Sequence, residues 1–263
     1  MKKSVALVLL VMSCLLAAVT PIEAKQGRAA RSTILMVLTG VDHVPGTDHE
    51  TGFWAEEFVA PYELFRKTGH KVIVASVEGG FAPVDPRSID PANVGEEQAR
   101  ELRLALDRAR PALKTVALND VRLDRVAAVF VVGGHGVMWD LTDSAIMHKI
   151  AQHIYCSGGV VAAVCHGPGA LVRAMLPDGR YLLDGKRVTG FSAREEELAG
   201  MAKIVPYCLE VEMSKASGNR YECGEPWKSF VVVDGNIVTG QNPASSADTA
   251  RAVLELLSAA RRR

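Results

Sequence analysis

Short apolar runs alternate with amphipathic stretches along this chain. Thr33 to Leu38 (TILMVL), Lys71 to Ser76 (KVIVAS), Ala127 to Val132 (AAVFVV) and Val160 to Val164 read as buried strands. Continuous apolar and β-branched residues suit strands covered on both faces. Between the first two, Phe53, Phe58, Tyr62 and Phe65 recur at helical spacing over Phe53 to Thr68. Pro61 predicts a kink or an interrupted start in that helix, and Gly69 its end. Gly95 to Ala109 and Ser144 to Tyr155 read as further helices, and the Gly-, Pro- and Asp-rich Gly79 to Pro91 as a loop. Later, Ala170 to Met175 is expected in a helix and Lys186 to Thr189 in a strand. Phe230 to Val233 and Ile237 to Thr239 should form a hairpin about Asp234-Gly235, followed by a helix over Ala247 to Ala260. Alternating strand and helix argues for a parallel sheet covered on both faces. No repeat or long linker divides it, so residues 30–263 are expected to form a single α/β domain.

The first residues follow another pattern. Lys2 and Lys3 precede an apolar run from Val5 to Val19, and Ile22-Glu23-Ala24 offers a cleavage site before Lys25. This matches a signal peptide over residues 1–24 and predicts an exported, periplasmic or secreted protein. An uncleaved anchor is the rival, although the run is shorter than the ~20 residues that span a bilayer comfortably. Acylation at Cys14 is disfavoured because the apolar run continues past it. With the leader removed, no later segment is apolar enough to span a membrane. The 30 Lys and Arg balance the 30 Asp and Glu, so no overall field favours nucleic acid or an anionic surface. Cys156, Cys165, Cys208 and Cys223 remain; an oxidising compartment permits one bridge beside a free Cys165, with Cys208 and Cys223 nearest in sequence. All-free buried thiols are the equal alternative.

Reactive groups in open α/β sheets gather beyond the carboxyl ends of the strands. The strand Val160 to Val164 runs directly into Cys165-His166-Gly167-Pro168-Gly169. A nucleophile at so sharp a turn needs small residues two positions away on either side, and Ala163 and Gly167 meet that need. A helix expected to open after Cys165 would lower the thiol pKa. A buried structural cysteine is the alternative. The glycines of Val132-Gly133-Gly134-His135-Gly136 could leave N–H groups free, so Gly134 and His166 are candidates for an oxyanion hole. Glu57, on the helix after the first strand, is a candidate carboxyl for the thiol that the residues alone do not lift above Glu56; beside a thiolate it should be protonated. His43, Asp48, His49 and Glu50 cluster in one loop, but ordinary loop polarity explains them better than a metal. Trp54 and Trp139 are candidate walls of a pocket, or packing residues.

Together, Thr51-Gly52-Phe-Trp-Ala-Glu-Glu57, Gly133-Gly134-His135-Gly136, Ala162-Ala-Val-Cys165-His166-Gly167-Pro168 and Thr239-Gly240-Gln241-Asn242-Pro243-Ala244-Ser245 resemble the ThiJ/PfpI superfamily. The similarity runs from about Thr33 to the last helix and is greatest to the glutathione-independent glyoxalase III branch, also described as stress chaperones. The resemblance implies a flavodoxin-like three-layer sandwich with a mostly parallel sheet and a cysteine nucleophile elbow. It places the nucleophile at Cys165, its histidine at His166 and the first-helix glutamate at Glu57. The acidic residue orienting the histidine falls, counting from Phe191, on Glu196, with Glu195 and Glu197 as neighbours in the register.

The activity implied is cofactor-free and metal-free conversion of small 2-oxoaldehydes such as methylglyoxal to hydroxy acids, by a homodimer. Glu57 or His166 would move the proton. The same superfamily contains chaperones and cysteine peptidases or amidases, so an envelope holdase and an acyl-enzyme hydrolase are the rival readings, with a thiol redox sensor as a third. A glutamine amidotransferase would need a His-x-Glu pair near its C-terminus, and the lack of any histidine beyond His166 argues against that reaction.

Overall fold

The computed structural model describes residues 33–262; the leader read over residues 1–24, Cys14 included, lies outside them. Its strands are β1 (Thr33–Val37), β2 (Lys71–Ser76), β3 (Gly80–Phe81), β4 (Lys114–Ala117), β5 (Val126–Val131), β6 (Val160–Val164), β7 (Val231–Asp234) and β8 (Ile237–Gly240). They form one eight-stranded sheet in the order β3-β4-β2-β1-β5-β6-β8-β7. The inner pairs are parallel, and only β3 on β4 and β7 on β8 are antiparallel, so both edges turn back on themselves. Every residue of β1, β5 and β6 is buried, as their unbroken apolar sequences require of strands with both faces covered.

The principal helices are α1 (Ala55–Lys67), α3 (Glu96–Ala109), α5 (Ala145–Cys156) and α8 (Ser246–Arg262), with shorter α2 (Pro91–Val94), α4 (Val137–Asp140), α6 (Ala193–Leu198) and α7 (Leu209–Ala216). Helices α1 and α8 pack against each other, while α5 lies on β5 and β6. Ser144 caps α5 by accepting the Met147 N–H at 3.3 Å. Among the described residues no helix is long and apolar enough to cross a membrane.

Four expectations need correction. Helix α1 continues unbroken through Pro61, because tertiary packing of Phe58 and Phe65 outweighs the one backbone bond the proline removes. No α-helix follows the Cys165 turn: Gly167–Ala170 is a single 3-10 turn, and Ala170 to Met175 continues as turns. Two glycines and a proline at its start disfavour an α-helix there. Lys186 to Thr189 is not a strand; it touches Tyr221 through one bridge at Val188, because β8 already occupies the free side of β6. The short β4, with only four residues, was missed because it lacks an apolar run. The cysteines Cys156, Cys208 and Cys223 are exposed free thiols, so no bridge joins Cys208 to Cys223.

Candidate active site

The carboxyl ends of β1, β5, β6 and β8 lie side by side, and the loops leaving them meet around one residue. Cys165 follows β6 directly with φ of 58°, in the left-handed region where a side chain is strained. Its backbone is held there from both sides. The Cys165 N–H donates to the Gly240 carbonyl at 2.9 Å, and its carbonyl accepts the Phe191 N–H at 2.9 Å. A Cβ at Gly167 would run into the Val131 carbonyl and come within 3.4 Å of the Ala163 side chain, which is why small residues flank the elbow.

Cys165 reaches the floor of a cleft of about 570 Å³ with only 4% of its surface exposed. Its Sγ lies 3.3 Å from His166 Nδ1. Glu57, fully buried in the first turn of α1, comes at the sulfur from the other side. A Cβ at Gly133 would overlap Glu57 Oε2 and lie 2.9 Å from Cys165 Cβ, so only glycine lets carboxyl and thiol share this space. Neither Glu57 oxygen has a well-formed hydrogen bond, its polar neighbours being the Cys165 thiol and the Gly133 N–H. Burial therefore pushes the Glu57 carboxyl well above its ordinary range, which favours its protonated form.

The thiol itself does not follow the expectation of a lowered pKa. Burial pushes Cys165 up, and a negative Glu57 would push it further. The absent helix removes the dipole that was to lower it. A protonated Glu57 reverses its own part, becoming a donor toward sulfur, and His166 Nδ1 lies within reach of the thiol.

His166 is oriented by Glu196, whose Oε2 accepts from Nε2 at 2.9 Å. The register counted from Phe191 thus reaches the carboxyl that touches the histidine. Glu197 is exposed and pairs with Arg194, while Glu195 turns the opposite way. Ser192 and Glu195 form a capping box at the start of α6. Fully buried Glu195 also accepts the Trp227 N–H, Gln241 Nε2 and Asn242 Nδ2 at 2.9, 3.0 and 2.8 Å.

Gly134 and His166 both line the cleft, and neither backbone N–H has an acceptor among the described residues. Gly134 has φ of 106°, a conformation that suits glycine and a turned N–H. Trp54 lines the cleft, the pocket-wall alternative of the two readings, but Trp139 does not. Trp227 takes that place, its backbone left-handed at φ 62° and its ring 5.7 Å from Phe191. No local pattern distinguished Trp227, because its position depends on Glu195, 32 residues away.

In sequence His135 is only part of a glycine-rich turn, yet its Nε2 lies 2.8 Å from Glu196 Oε1. One carboxylate thus serves two imidazoles whose centroids are 4.0 Å apart. Against the burial that would raise it, the two rings hold Glu196 well below the usual carboxylate range. Burial and the neighbouring His166 push His135 down to about 4. The ligand-type atoms of His135, His166 and Glu196 lie within 4.8 Å of one another, but hydrogen bonds already commit them to each other, and they form a proton-holding cluster. His43 and Glu50 face each other across an isolated bridge, and their loop gathers no ligand cluster with Asp48 and His49 among the described residues.

The depressed His135 value has a consequence for stability. Between pH 6.5 and 4 the unfolded chain binds this proton and the folded chain does not, so stability falls as the pH drops through that window, by about 3 kcal/mol. Asp140, pushed up to about 6 by burial, acts in the opposite sense over part of it. Denaturant unfolding of wild type and His135→Asn at pH 7 and 4.5 should separate the two groups. The wild type is expected to lose more stability than the variant by on the order of 2 kcal/mol; equal losses would contradict a neutral buried His135.

Comparison with known proteins agrees with this arrangement. A profile of the DJ-1/PfpI family matches residues 49–256. "Glyoxalase 3" of Candida albicans is 32% identical over 228 residues, covering 84% of this chain and 96% of that protein. "Glutathione-independent glyoxalase HSP31" of Saccharomyces cerevisiae is 31% identical, again covering 84% and 96%. The solved structure of glyoxalase III from Candida albicans superposes with a TM-score of 0.77 at 31% identity, over 86% of this chain and 98% of that one. Rapid Encystment Protein 24 KDa of Francisella tularensis gives 0.78 at 34% identity, over 86% and 99%. Over most of its length the chain belongs to the DJ-1/PfpI family.

Proposed function

We propose that the protein is a glutathione-independent glyoxalase, converting small 2-oxoaldehydes such as methylglyoxal to 2-hydroxy acids, with Cys165 as nucleophile. The observation that carries this reading is the placement of Sγ on the cleft floor, 3.3 Å from His166 Nδ1 and against a carboxyl that holds its proton. Relatives named glutathione-independent glyoxalases support the reaction class.

The Cys165 S–H passes its proton to His166 Nδ1, and sulfur bonds to the aldehyde carbon. The carbonyl π pair moves to oxygen, which the Gly134 and His166 N–H groups stabilise. The Glu57 carboxyl or the His166 imidazolium gives its proton to that oxygen, which forms a hemithioacetal and leaves the donor able to act as a base. Glu57 or His166 then takes the remaining hydrogen from the same carbon as a proton, and the electrons flow to the adjacent ketone as an enediol. Return of a proton to the second carbon leaves a thioester. Water cleaves the carbon–sulfur bond, regenerating Cys165 and releasing the hydroxy acid. One carbon is oxidised and its neighbour reduced, so no external oxidant is required. Glu196 holds the His166 ring throughout. The signal-like first residues support action outside the cytoplasm on substrate that reaches the envelope.

Purified protein lacking residues 1–24 should form lactate from methylglyoxal without added thiol cofactor, and no turnover with Cys165 demonstrably reduced would refute the reading. Glu57→Gln keeps the shape of the side chain but cannot exchange a proton. It is expected to lower kcat about 100-fold with a smaller change in KM, the scale of a lost general acid–base group. Steady-state kinetics beside a thermal melt would check this, and a kcat within threefold of wild type would remove Glu57 from the proton path.

A further inference from the structure

His135 has its second nitrogen occupied as well. Its Nδ1 lies 3.1 Å from Arg87 Nη2, and a guanidinium can only donate. The His135 proton therefore resides on Nε2, facing Glu196. Arg87 is fixed in its turn: Nε and Nη2 reach Asp85 Oδ1 and Oδ2 at 3.0 and 2.6 Å, and Asp85 is fully buried. The Asp85 carboxylate also accepts the Arg87 N–H at 3.0 Å and lies 3.5 Å from Thr51 Oγ1. Polar contacts run without a gap from Asp85 through Arg87, His135, Glu196 and His166 to the Cys165 sulfur.

This chain addresses a problem built into the site. Two imidazoles 4.0 Å apart share one carboxylate, and both cannot be cationic at once without strong repulsion. Proton transfer from sulfur requires His166 to become the cation. A charged His135 would take the Glu196 charge for itself and repel the proton leaving Cys165. The charged and titratable groups facing His135 are Arg87, His166 and Glu196, with Asp85 behind Arg87. The edge of Phe191, 6.2 Å away, contributes no charge.

We propose that Arg87, braced by Asp85, is a positioning residue that locks His135 as the neutral Nε2–H tautomer and so leaves the single positive charge of the cluster to His166. Its effect on oxoaldehyde turnover rests on the glyoxalase reading; its effect on His135 and on Cys165 reactivity does not. Burial and His166 also favour a neutral His135, and Arg87 adds the fixed donor that selects which nitrogen carries the proton.

The test has two arms that need no oxoaldehyde. In wild-type protein, nitrogen NMR of labelled histidine should show His135 Nδ1 unprotonated and Nε2 protonated from pH 5 to 9. A protonated Nδ1 near neutral pH would overturn the proposal without any variant. The second arm follows iodoacetamide alkylation of Cys165 against pH in wild type, Arg87→Met and Arg87→Lys. Arg87→Lys retains a cation for Asp85 but cannot span both Asp85 and Nδ1, guarding against a variant that merely misfolds. Both variants should gain an inflection at higher pH than any in wild type, because His135 Nδ1 loses the donor that occupies it. Below it the alkylation rate should be at least about tenfold lower than in wild type, equivalent to one unit in the thiol titration. Superimposable profiles in folded variants would overturn the proposal. Should the lock be present while methylglyoxal is not turned over, the reaction assignment fails and the lock stands.

Discussion

Cys165→Ser should lower the rate of lactate formation by about 1000-fold or more while leaving the fold intact. Serine fills nearly the same space and can still donate to His166 Nδ1, 3.3 Å from the present sulfur. Packing among Ala163, Gly133 and Phe191 is thus preserved, and unfolding free energy should change by less than about 1 kcal/mol. The chemistry is not preserved. An alcohol must yield its proton at far greater cost than a thiol, and the ester it would form has a poorer leaving group than a thioester for the final hydrolysis. The readout is product formation over hours beside a denaturant melt. A variant retaining a tenth of wild-type turnover would mean that the oxoaldehyde is not attacked by position 165. A holdase reading predicts instead that aggregation suppression survives the same change.

The second large effect is on stability, at the neighbour of the residue that touches the histidines. Glu195 is fully buried and accepts from the Ser192 N–H and hydroxyl, Trp227 N–H, Gln241 Nε2 and Asn242 Nδ2. Glu195→Ala leaves these donors facing a void, and each buried donor without a partner costs roughly 1–3 kcal/mol. Entering water can satisfy some of them, so a net loss of about 3–5 kcal/mol is expected. Activity should fall with it, because the same carboxylate pins the first turn of α6, which carries Glu196, and the Trp227 backbone at the cleft wall. Glu195→Gln retains one acceptor and should recover part of the stability. Urea titration measures both variants, and a loss below 1 kcal/mol for alanine would show that the network is dispensable.

Much of the fold was legible because its signals are local. Apolar runs identified β1, β2, β5 and β6 within a residue of their ends, and the Asp234-Gly235 turn announced the β7–β8 hairpin. The elbow could be read because its steric demand falls on Ala163 and Gly167, two positions from Cys165. The helix expected after it failed for an instructive reason. Ala170, Leu171, Val172 and Ala174 are buried although the backbone runs as turns, and burial alone looks the same in sequence whether the backbone is helical or not. Glu196 was reached by counting from Phe191. The second limb of the site was not legible. Arg87 lies in a segment whose glycines, prolines and aspartates signal only a change of direction, 48 residues from the His135 nitrogen it meets. Trp227 depends in the same way on a distant carboxylate. Contacts of this kind are set by how loops cross above the sheet, and no periodicity records them.

The left-handed backbone at Cys165 bears on how this protein could evolve. A glycine there would adopt φ near 58° at no steric cost, whereas a residue with a side chain gives up on the order of 1–3 kcal/mol. Drift toward sturdier sequences therefore pulls this position away from cysteine in every generation, and only selection on a working thiol opposes it. A descendant released from that duty would be expected to keep its sheet, lose its sulfur and melt at a higher temperature.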